Sequence, residues 1–220
     1  MPVLQEERRV LGAVQRLHDA GFDDVIVVDG GSSDDTVALA ELAGARVVET
    51  RPGRAHQMNV GAQQAEGDVL WFVHADVRIP PGAHEAIREA LRCPTVVAGA
   101  FGTRTVCDQG TTRLGPVLPI ADVRSRYTRL PYGDQALFVR RDVFEHVGGF
   151  PPQPILEDLE LARRLWRCGK IVQVPAKVEV SARRFLARPV YYSLVMNLFP
   201  VLYRAGVRPD RLARWYGRPR

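Results

Sequence analysis

Four consecutive β-branched residues at positions 25–28 (VIVV) most constrain how this chain can fold. A short apolar run without polar alternation is typical of a strand buried on both faces of a sheet. Similar runs predict strands at residues 46–49 and 68–73, and helical spacing of apolar residues predicts helices around them, over residues 6–20, 32–44 and 53–65. This alternation with short links predicts an α/β fold with a mostly parallel central sheet flanked by helices.

Local signals refine this prediction and extend it to the second half. Ser32, followed three residues later by Asp35, matches a capping box that would start the second helix. Residues 107–129 show no clear period and are the best candidate for a mobile loop or lid. Further strands are predicted at residues 96–105, 137–139 and 171–180, and further helices at residues 81–91 and 157–168.

The cysteines and the charge narrow the class of protein. The three cysteines, Cys93, Cys107 and Cys168, form no CxxC pair, so they indicate neither a zinc knuckle nor a disulfide framework. A reducing cytosol is the simplest setting for them. The net charge is +5, and the basic excess lies after Leu202, where six arginines accompany one aspartate. Such an end is either a solvated helix face or a contact for an anionic partner.

The acidic residues that follow apolar strands suggest a metal site. Residues 71–73 are an apolar strand that runs into His74-Ala75-Asp76. Asp76 offers the hard oxygen ligands that suit Mg²⁺ or Mn²⁺, and such an ion could bridge two phosphates. His74 points the same way along a strand with a period of two, so it is either a second ligand or a satisfied hydrogen-bonding group.

Polar residues at other strand ends and helix starts suggest a ligand pocket. Asp29 and Gly30 follow the first predicted strand and form either a capped turn with solvated acids or a ligand contact. Ligands bind at such strand ends in open α/β sheets, and a glycine lets the backbone approach them. Arg54, Gln57 and Asn59 surround a helix start, which either binds phosphate oxygens or forms a solvated first turn.

Two charged pairs near the end of the sequence have both structural and functional interpretations. Glu157 and Asp158 begin a helix, where acids interact favourably with the helix dipole, and where one of them could act as a general base. Arg183 and Arg184 follow the last predicted strand. They could neutralise a diphosphate leaving group, form a solvated turn or face a membrane.

Taken in order, these clusters resemble the family 2 glycosyltransferases, which have the GT-A fold. More narrowly, they resemble a bacterial subgroup labelled arsenosugar-biosynthesis-associated or diaponeurosporenoate-type glycosyltransferases. The similarity covers nearly the whole chain, and several weak motifs in the right order make it specific. The motifs are residues 29–32 (DGGS), 53–61 (GRAHQMNVG), 74–76 (HAD), 133–135 (GDQ), 157–158 (ED) and 181–185 (SARRF).

The resemblance implies roles for the matching positions. Asp29 should contact the base or ribose of a nucleotide, and Asp76 matches the last acid of the metal-binding DxD motif. Asp158 matches the catalytic base of the ED motif in inverting members. The remaining matches are expected in the donor and acceptor pockets; they are Gly30, Arg54, Gln57, Asn59, Gly133, Asp134, Gln135, Arg183 and Arg184.

The chain departs from the family pattern at three places. His74 replaces the first acid of DxD, and residues 183–185 only loosely match the QxxRW motif of relatives. Relatives begin with an apolar strand that runs into Pro-x-x-Asn-Glu-Glu, whereas this sequence starts inside that motif with MPVLQEE. Most of the first central strand is therefore expected to be missing.

These observations predict a GT-A catalytic domain over residues 1–188 and an apolar, basic helical segment over residues 189–220. The predicted activity is an inverting, metal-dependent sugar transfer from a nucleotide-diphosphate donor to an acceptor hydroxyl, on the cytoplasmic side. A nucleotidyltransferase and a non-catalytic sugar-nucleotide binding protein are the alternatives. We expect no nucleic-acid partner.

The last segment leaves two interpretations open. Residues 189–203 are too short an apolar stretch for the ~20 residues that span a bilayer. They could form an interfacial anchor at the inner face of the plasma membrane, which would suit a lipidic rather than a small soluble acceptor. Alternatively, they cover the sheet as ordinary core or form a homodimer contact.

Overall fold

The computed structural model describes residues 1–106, 131, 133–182 and 189–216. The predicted lid over residues 107–129 and the arginine pair Arg183 and Arg184 lie outside these residues. The strands are β1 Pro2–Val3, β2 Ile26–Asp29, β3 Arg46–Glu49, β4 Val69–Trp71, β5 Val77–Arg78, β6 Val96–Val106, β7 Phe138–Arg140 and β8 Lys170–Ser181. The helices are α1 Val10–Asp19, α2 Thr36–Leu42, α3 Arg54–Gln64, α4 Ala83–Ala90, α5 Arg141–His146, α6 Glu157–Leu165, α7 Pro189–Arg204 and α8 Pro209–Tyr216, with a 3₁₀ turn at Gly133–Gln135.

Two sheets organise the described residues. The first has the order β1-β2-β3 and is parallel throughout, as the alternation of strands and helices predicts. The second has the order β4-β7-β6-β8-β5 and is mixed, because only its β6–β8 pair is parallel. β1 contributes just two residues, paired with Val28 and Asp29, in agreement with the expected short first strand.

Helices cover both faces of the strands, which confirms the predicted α/β architecture. In the segment that contains β7, Phe138 belongs to a core shared with α1 and α4, whereas Leu137 and Val139 belong to a second core shared with α3 and α6. Side chains that alternate between two cores place one helical layer on each face.

The predicted capping box is wrong. α2 begins at Thr36 rather than near Ser32, and its N-cap residue Asp35 makes no side-chain capping hydrogen bond. The Ser32 hydroxyl instead donates to Asp29 at 2.5 Å. A serine that bonds an upstream carboxylate stabilises a turn in competition with helix initiation. Residues 30–35 are therefore an ordered loop between β2 and α2.

The C-terminal helices pack onto the rest of the protein. Val195 and Phe199 of α7 and Leu212 of α8 form a third apolar cluster with Ile155, which lies just before α6. This contact supports the prediction that the apolar segment acts in part as ordinary core. None of the helices in the described part of the chain is long and apolar enough to cross a membrane.

Candidate active site

The carboxylate of Asp29, at the end of β2, shapes the turn that follows the strand. Asp29 is fully buried, and its Oδ2 accepts hydrogen bonds from the N–H groups of Gly31 at 2.8 Å and Ser32 at 2.7 Å. Its Oδ1 accepts the Ser32 hydroxyl. Aspartate side chains commonly fix such turns through nearby backbone amides. A contact between Asp29 and a nucleotide remains a prediction.

Gln57 joins α3 to the strands beneath it. Its Nε2 donates to the carbonyls of Val3 and Val28, both at 2.8 Å, and its Oε1 accepts the N–H of Gly53 at 3.3 Å. A Cβ on Gly30 would lie 3.1 Å from the Gln57 amide, so the glycine allows this close approach. The amide of Gln57 therefore positions the first turn of α3, whether or not it also lines a donor pocket.

Asn59 makes a similar connection farther along α3. Its amide donates to the carbonyl of Phe150 at 2.8 Å and accepts the N–H of Phe150 at 2.9 Å. This two-point contact ties α3 to the loop before α6. For Asn59, as for Gln57, a contact with the sugar-nucleotide donor remains a prediction.

An ion pair between Arg54 and Glu157 connects the start of α3 to the start of α6. Arg54 Nε donates to Glu157 Oε1 across 103 residues of sequence. The side chain of Glu157 is 1% exposed, whereas that of Arg54 is 41% exposed. Arg54 thus neutralises a buried acid while part of its side chain stays exposed, and its guanidinium group could also bind a phosphate.

Burial and charge shift the pKa values of this pair. Burial raises the pKa of Glu157, and Arg54 opposes the shift, whereas Asp158 adds to it. For Arg54, burial acts to lower the pKa, but the two carboxylates of α6 raise it above its ordinary value. Arg54 is therefore a permanent positive charge at the helix start.

His74 and Asp76 lie beyond the end of β4 and face the same group of charges. Burial lowers the pKa of His74 to about 4, and Arg54 lowers it as well. Asp76 and Asp158 act in the opposite direction. Because Arg54, Asp76 and Asp158 all influence the pKa of one imidazole, and Arg54 is ion-paired with Glu157, the segment after β4 and the starts of α3 and α6 lie near one another. The wider expectation that Asp29, Asp76 and Asp158 share one crevice remains a prediction.

The side chains of His74 and Asp76 suit a cation whose other ligands come from a diphosphate. A neutral imidazole has a nitrogen lone pair available for a metal, and the low pKa keeps His74 neutral near pH 7. Within the described residues, no three His, Cys, Asp or Glu side chains form a ligand cluster. Mg²⁺ commonly takes one or two protein carboxylates and completes its coordination with substrate phosphates and water.

Asp158 lies in the first turn of α6, next to Glu157. It is 8% exposed, and its Oδ1 accepts the N–H of Leu159 at 2.7 Å. The preceding residue, Leu156, has a left-handed backbone with φ of 60°. Few residues other than glycine and asparagine adopt this conformation, and it often marks functional sites. The sequence gives no signal for it.

The 3₁₀ turn at Gly133–Gln135 lies beside the strand that leads to His74. Gln135 is buried and donates to the carbonyl of Phe101 at 3.3 Å. The next carbonyl, that of Ala136, accepts the indole N–H of Trp71 at 2.9 Å. Asp134 is half-buried in the same turn. Its predicted position close to the sugar or acceptor is compatible with this contact to β4.

Comparison with known proteins places the chain among sugar-transferring enzymes. The family model described as glycosyl transferase family 2 matches residues 1–149. A glucosyl-3-phosphoglycerate synthase from Mycolicibacterium paratuberculosis is 35% identical over 92 residues, covering 36% of this chain and 28% of the relative. An uncharacterised glycosyltransferase of Mycobacterium tuberculosis is 29% identical over 149 residues, covering 65% of this chain and 56% of the relative.

Solved structures show the same fold. A mannosyltransferase from Pyrobaculum calidifontis, in complex with GDP-Man and Mn²⁺, matches with a TM-score of 0.71 at 20% identity, covering 95% of this chain and 64% of that one. Glucosyl-3-phosphoglycerate synthase from Mycobacterium tuberculosis, in complex with Mn²⁺, UDP and glucosyl-3-phosphoglycerate, matches with a TM-score of 0.60 at 21% identity. The match covers 81% of this chain and 68% of that one. The chain thus matches between about a quarter and two thirds of the length of these proteins.

Proposed function

The chain belongs to glycosyl transferase family 2 and has the GT-A fold, and from this premise we propose that it transfers a sugar from a nucleotide-diphosphate donor to an acceptor hydroxyl with inversion. The observation that carries the proposal is the ion pair between Arg54 and Glu157, which joins the starts of α3 and α6, together with the influence of Arg54, Asp76 and Asp158 on the pKa of His74. A cation site, a fixed positive charge and a general base close together are what transfer from a diphosphate requires.

In the proposed reaction, Asp158 accepts the proton of the acceptor hydroxyl while the hydroxyl oxygen attacks the anomeric carbon of the sugar. The new bond to the acceptor oxygen forms as the bond to the diphosphate oxygen breaks, so no covalent sugar–enzyme intermediate is needed. Arg54 faces the diphosphate and stabilises the charge that develops on it. Asp76 and His74 would hold Mg²⁺ or Mn²⁺, which supplies further neutralisation of the leaving group.

The other predicted contacts complete the donor side of the proposal. Asp29 and Gly30 would lie along the nucleotide, next to the turn that Gln57 braces. Asp134 and Gln135 would lie near the sugar or the acceptor. Arg183 and Arg184 follow β8 and would approach the diphosphate. The catalytic domain would extend over residues 1–188, as predicted.

Metal-dependent stabilisation tests this proposal. With Mn²⁺, a UDP- or GDP-sugar at 100 times its Kd should stabilise the wild type by about 2.7 kcal/mol. Asp76→Asn should abolish the Mn²⁺-dependent part of the thermal shift, and His74→Ala should reduce it, because both remove a ligand. Glu49→Gln, a substitution on an exposed strand residue, is the control. An unchanged Mn²⁺ effect in Asp76→Asn would contradict the assignment.

The released product separates the proposal from its alternatives. A glycosyltransferase releases a nucleoside diphosphate, whereas a nucleotidyltransferase releases pyrophosphate. A non-catalytic binding protein would be stabilised by the donor but would release neither. We also propose that the chain belongs to the arsenosugar-associated or diaponeurosporenoate-type subgroup.

We also propose that the C-terminal helices contact an anionic membrane surface, where a lipidic acceptor would be available. Leu198 and Val201 of α7 are 40% and 58% exposed, and Trp215 of α8 is 58% exposed. Arg204 shares the exposed face of α7, and α8 adds exposed arginines. Apolar side chains beside basic ones suit the headgroup region of anionic lipid.

Vesicle flotation tests this surface. We expect the protein to float with phosphatidylglycerol vesicles, and the double substitution Val201→Ser, Trp215→Ser to lower the partition coefficient at least about tenfold, because burying each apolar side chain contributes ~1.5–3 kcal/mol. Leu42→Ser, at a site on α2 that is 75% exposed, should have no effect. Equal flotation of the double variant would contradict the proposal, as would conversion of a dimer to a monomer by the same substitutions.

A further inference from the structure

The C-terminal helices contact the turn that presents the acids of α6. Ile155 is buried in the cluster formed by Val195, Phe199 and Leu212, and Leu156 packs against the same cluster. Leu156 has φ of 60°, a left-handed conformation that is unfavourable for a residue with a Cβ. Such a conformation persists only where the surrounding structure holds it. In this protein that surrounding structure includes α7 and α8.

Two polar contacts connect the same helices to the site. Tyr203 of α7 donates its hydroxyl to Glu160 Oε2 at 3.0 Å, in the first turn of α6. Tyr216 of α8 lies close enough to Arg54 to contribute to its raised pKa. The ring of Tyr216 is held against Phe199 in an edge-on contact at 6.3 Å. α7 therefore contacts the first turn of α6, and α8 approaches Arg54, one partner of the ion pair at the centre of the site.

We propose that α7 and α8 are a positioning element for the reaction. By holding the left-handed turn at Leu156, they orient Glu157 toward Arg54 and Asp158 toward the acceptor. This inference rests on the proposed function, and it gives the predicted segment 189–220 a role in the chemistry. Neither helix needs to touch the donor, since the groups proposed on the donor side lie at or after the ends of β2, β4 and β8, in α3 and in the 3₁₀ turn.

The expected signature is a loss of turnover without a loss of donor binding. A misplaced general base lowers kcat, because small errors in geometry weaken catalysis strongly. The groups assigned to the nucleotide and the metal lie on other elements, so the Kd for a nucleoside diphosphate with Mn²⁺ should not change.

Leu212→Ala is the test variant, since it removes a fully buried side chain from the contact between α8 and Ile155. We expect kcat for nucleoside diphosphate release to fall at least about tenfold, with the donor Kd unchanged within about twofold. Leu212→Met, which conserves the volume, should restore kcat. Asp210→Asn, an exposed substitution on α8, is the control. An unchanged kcat in folded Leu212→Ala would overturn the inference, as would a parallel loss of donor affinity.

Hydrogen exchange provides a measurement that does not depend on activity. In Leu212→Ala, the amides of residues 155–160 should exchange at least about tenfold faster, whereas those of β2 should not change. Faster exchange confined to residues 189–216 would overturn the inference. A wild-type protein that neither binds nor turns over nucleotide sugars would instead contradict the proposed function, and the exchange result would still decide whether the helices hold the turn.

Discussion

Asp158→Asn should lower kcat by about 10²–10⁴-fold, the range that a general base contributes, while donor affinity stays within about twofold of the wild type. Asparagine has nearly the same shape, and its amide oxygen can still accept the N–H of Leu159 that Asp158 Oδ1 accepts. What it loses is the ability to take the proton of the acceptor hydroxyl. Steady-state release of nucleoside diphosphate and equilibrium binding of the donor with Mn²⁺ measure the two quantities.

A matched control for this substitution lies on another helix. Asp142→Asn changes an acid in the first turn of α5, which also accepts a neighbouring backbone N–H, at 2.8 Å from Val143. It should leave both kcat and donor affinity unchanged. Full turnover by Asp158→Asn would remove Asp158 from the role of base. A large loss of donor affinity would instead indicate that the carboxylate acts in binding.

Arg54→Met should destabilise the folded protein by about 2–4 kcal/mol. Removing one partner of a buried ion pair costs about 3–5 kcal/mol, and we lower this range because Arg54 is 41% exposed and partly solvated. The cost arises at Glu157, which is 1% exposed and would lose its compensating charge. Chemical denaturation measures the free energy of unfolding. Arg92→Met, which breaks an exposed pair with Glu89, should cost less than about 1 kcal/mol.

The pH dependence of this loss has a definite sign. The folded-state pKa of Glu157 is raised above the ordinary value of 4.5, so stability is lost as the pH rises from there through the folded-state pKa. Arg54 opposes that rise, and its removal raises the pKa further. The difference in unfolding free energy between wild type and Arg54→Met should therefore be small near pH 4 and grow toward pH 8.

A double-mutant cycle separates this electrostatic cost from lost packing. Glu157→Gln removes the buried charge, so the double variant Arg54→Met, Glu157→Gln should be more stable at pH 8 than Arg54→Met alone. It should also lack the additional pH dependence. A double variant that loses the sum of the two single effects would show that the pair is not energetically coupled.

Features that depend on neighbouring residues could be predicted from the sequence. The strand at residues 25–28 and the strand before His74 follow from local apolar runs, and their ends bear Asp29 and Asp76 as expected. The expected proximity of Asp29, Asp76 and Asp158 came from the resemblance to family 2 glycosyltransferases, and it remains a prediction. Ser32 shows the limit of local patterns, because a nearby carboxylate competes with the helix for its hydroxyl.

Partners that are distant in sequence could not be predicted in this way. Arg54 and Glu157 were both expected at the site, but nothing in a single sequence pairs residues 103 positions apart. Asn59 was expected to contact a donor, yet it bonds the backbone of Phe150, 91 residues away. The left-handed turn at Leu156 and the approach of Tyr216 to Arg54 depend on packing between segments that no local pattern relates.

A crystal structure of the protein with Mn²⁺ and a nucleoside diphosphate would test most directly whether the strand ends and the starts of α3 and α6 form one catalytic centre. The anomalous signal of manganese locates the ion independently of the fitted atoms. We predict an ion in direct contact with Asp76, with the diphosphate between it and Arg54 and with Asp158 facing the open side. An ion and nucleotide bound elsewhere, with Asp76 and Arg54 both left without contact to them, would contradict this account.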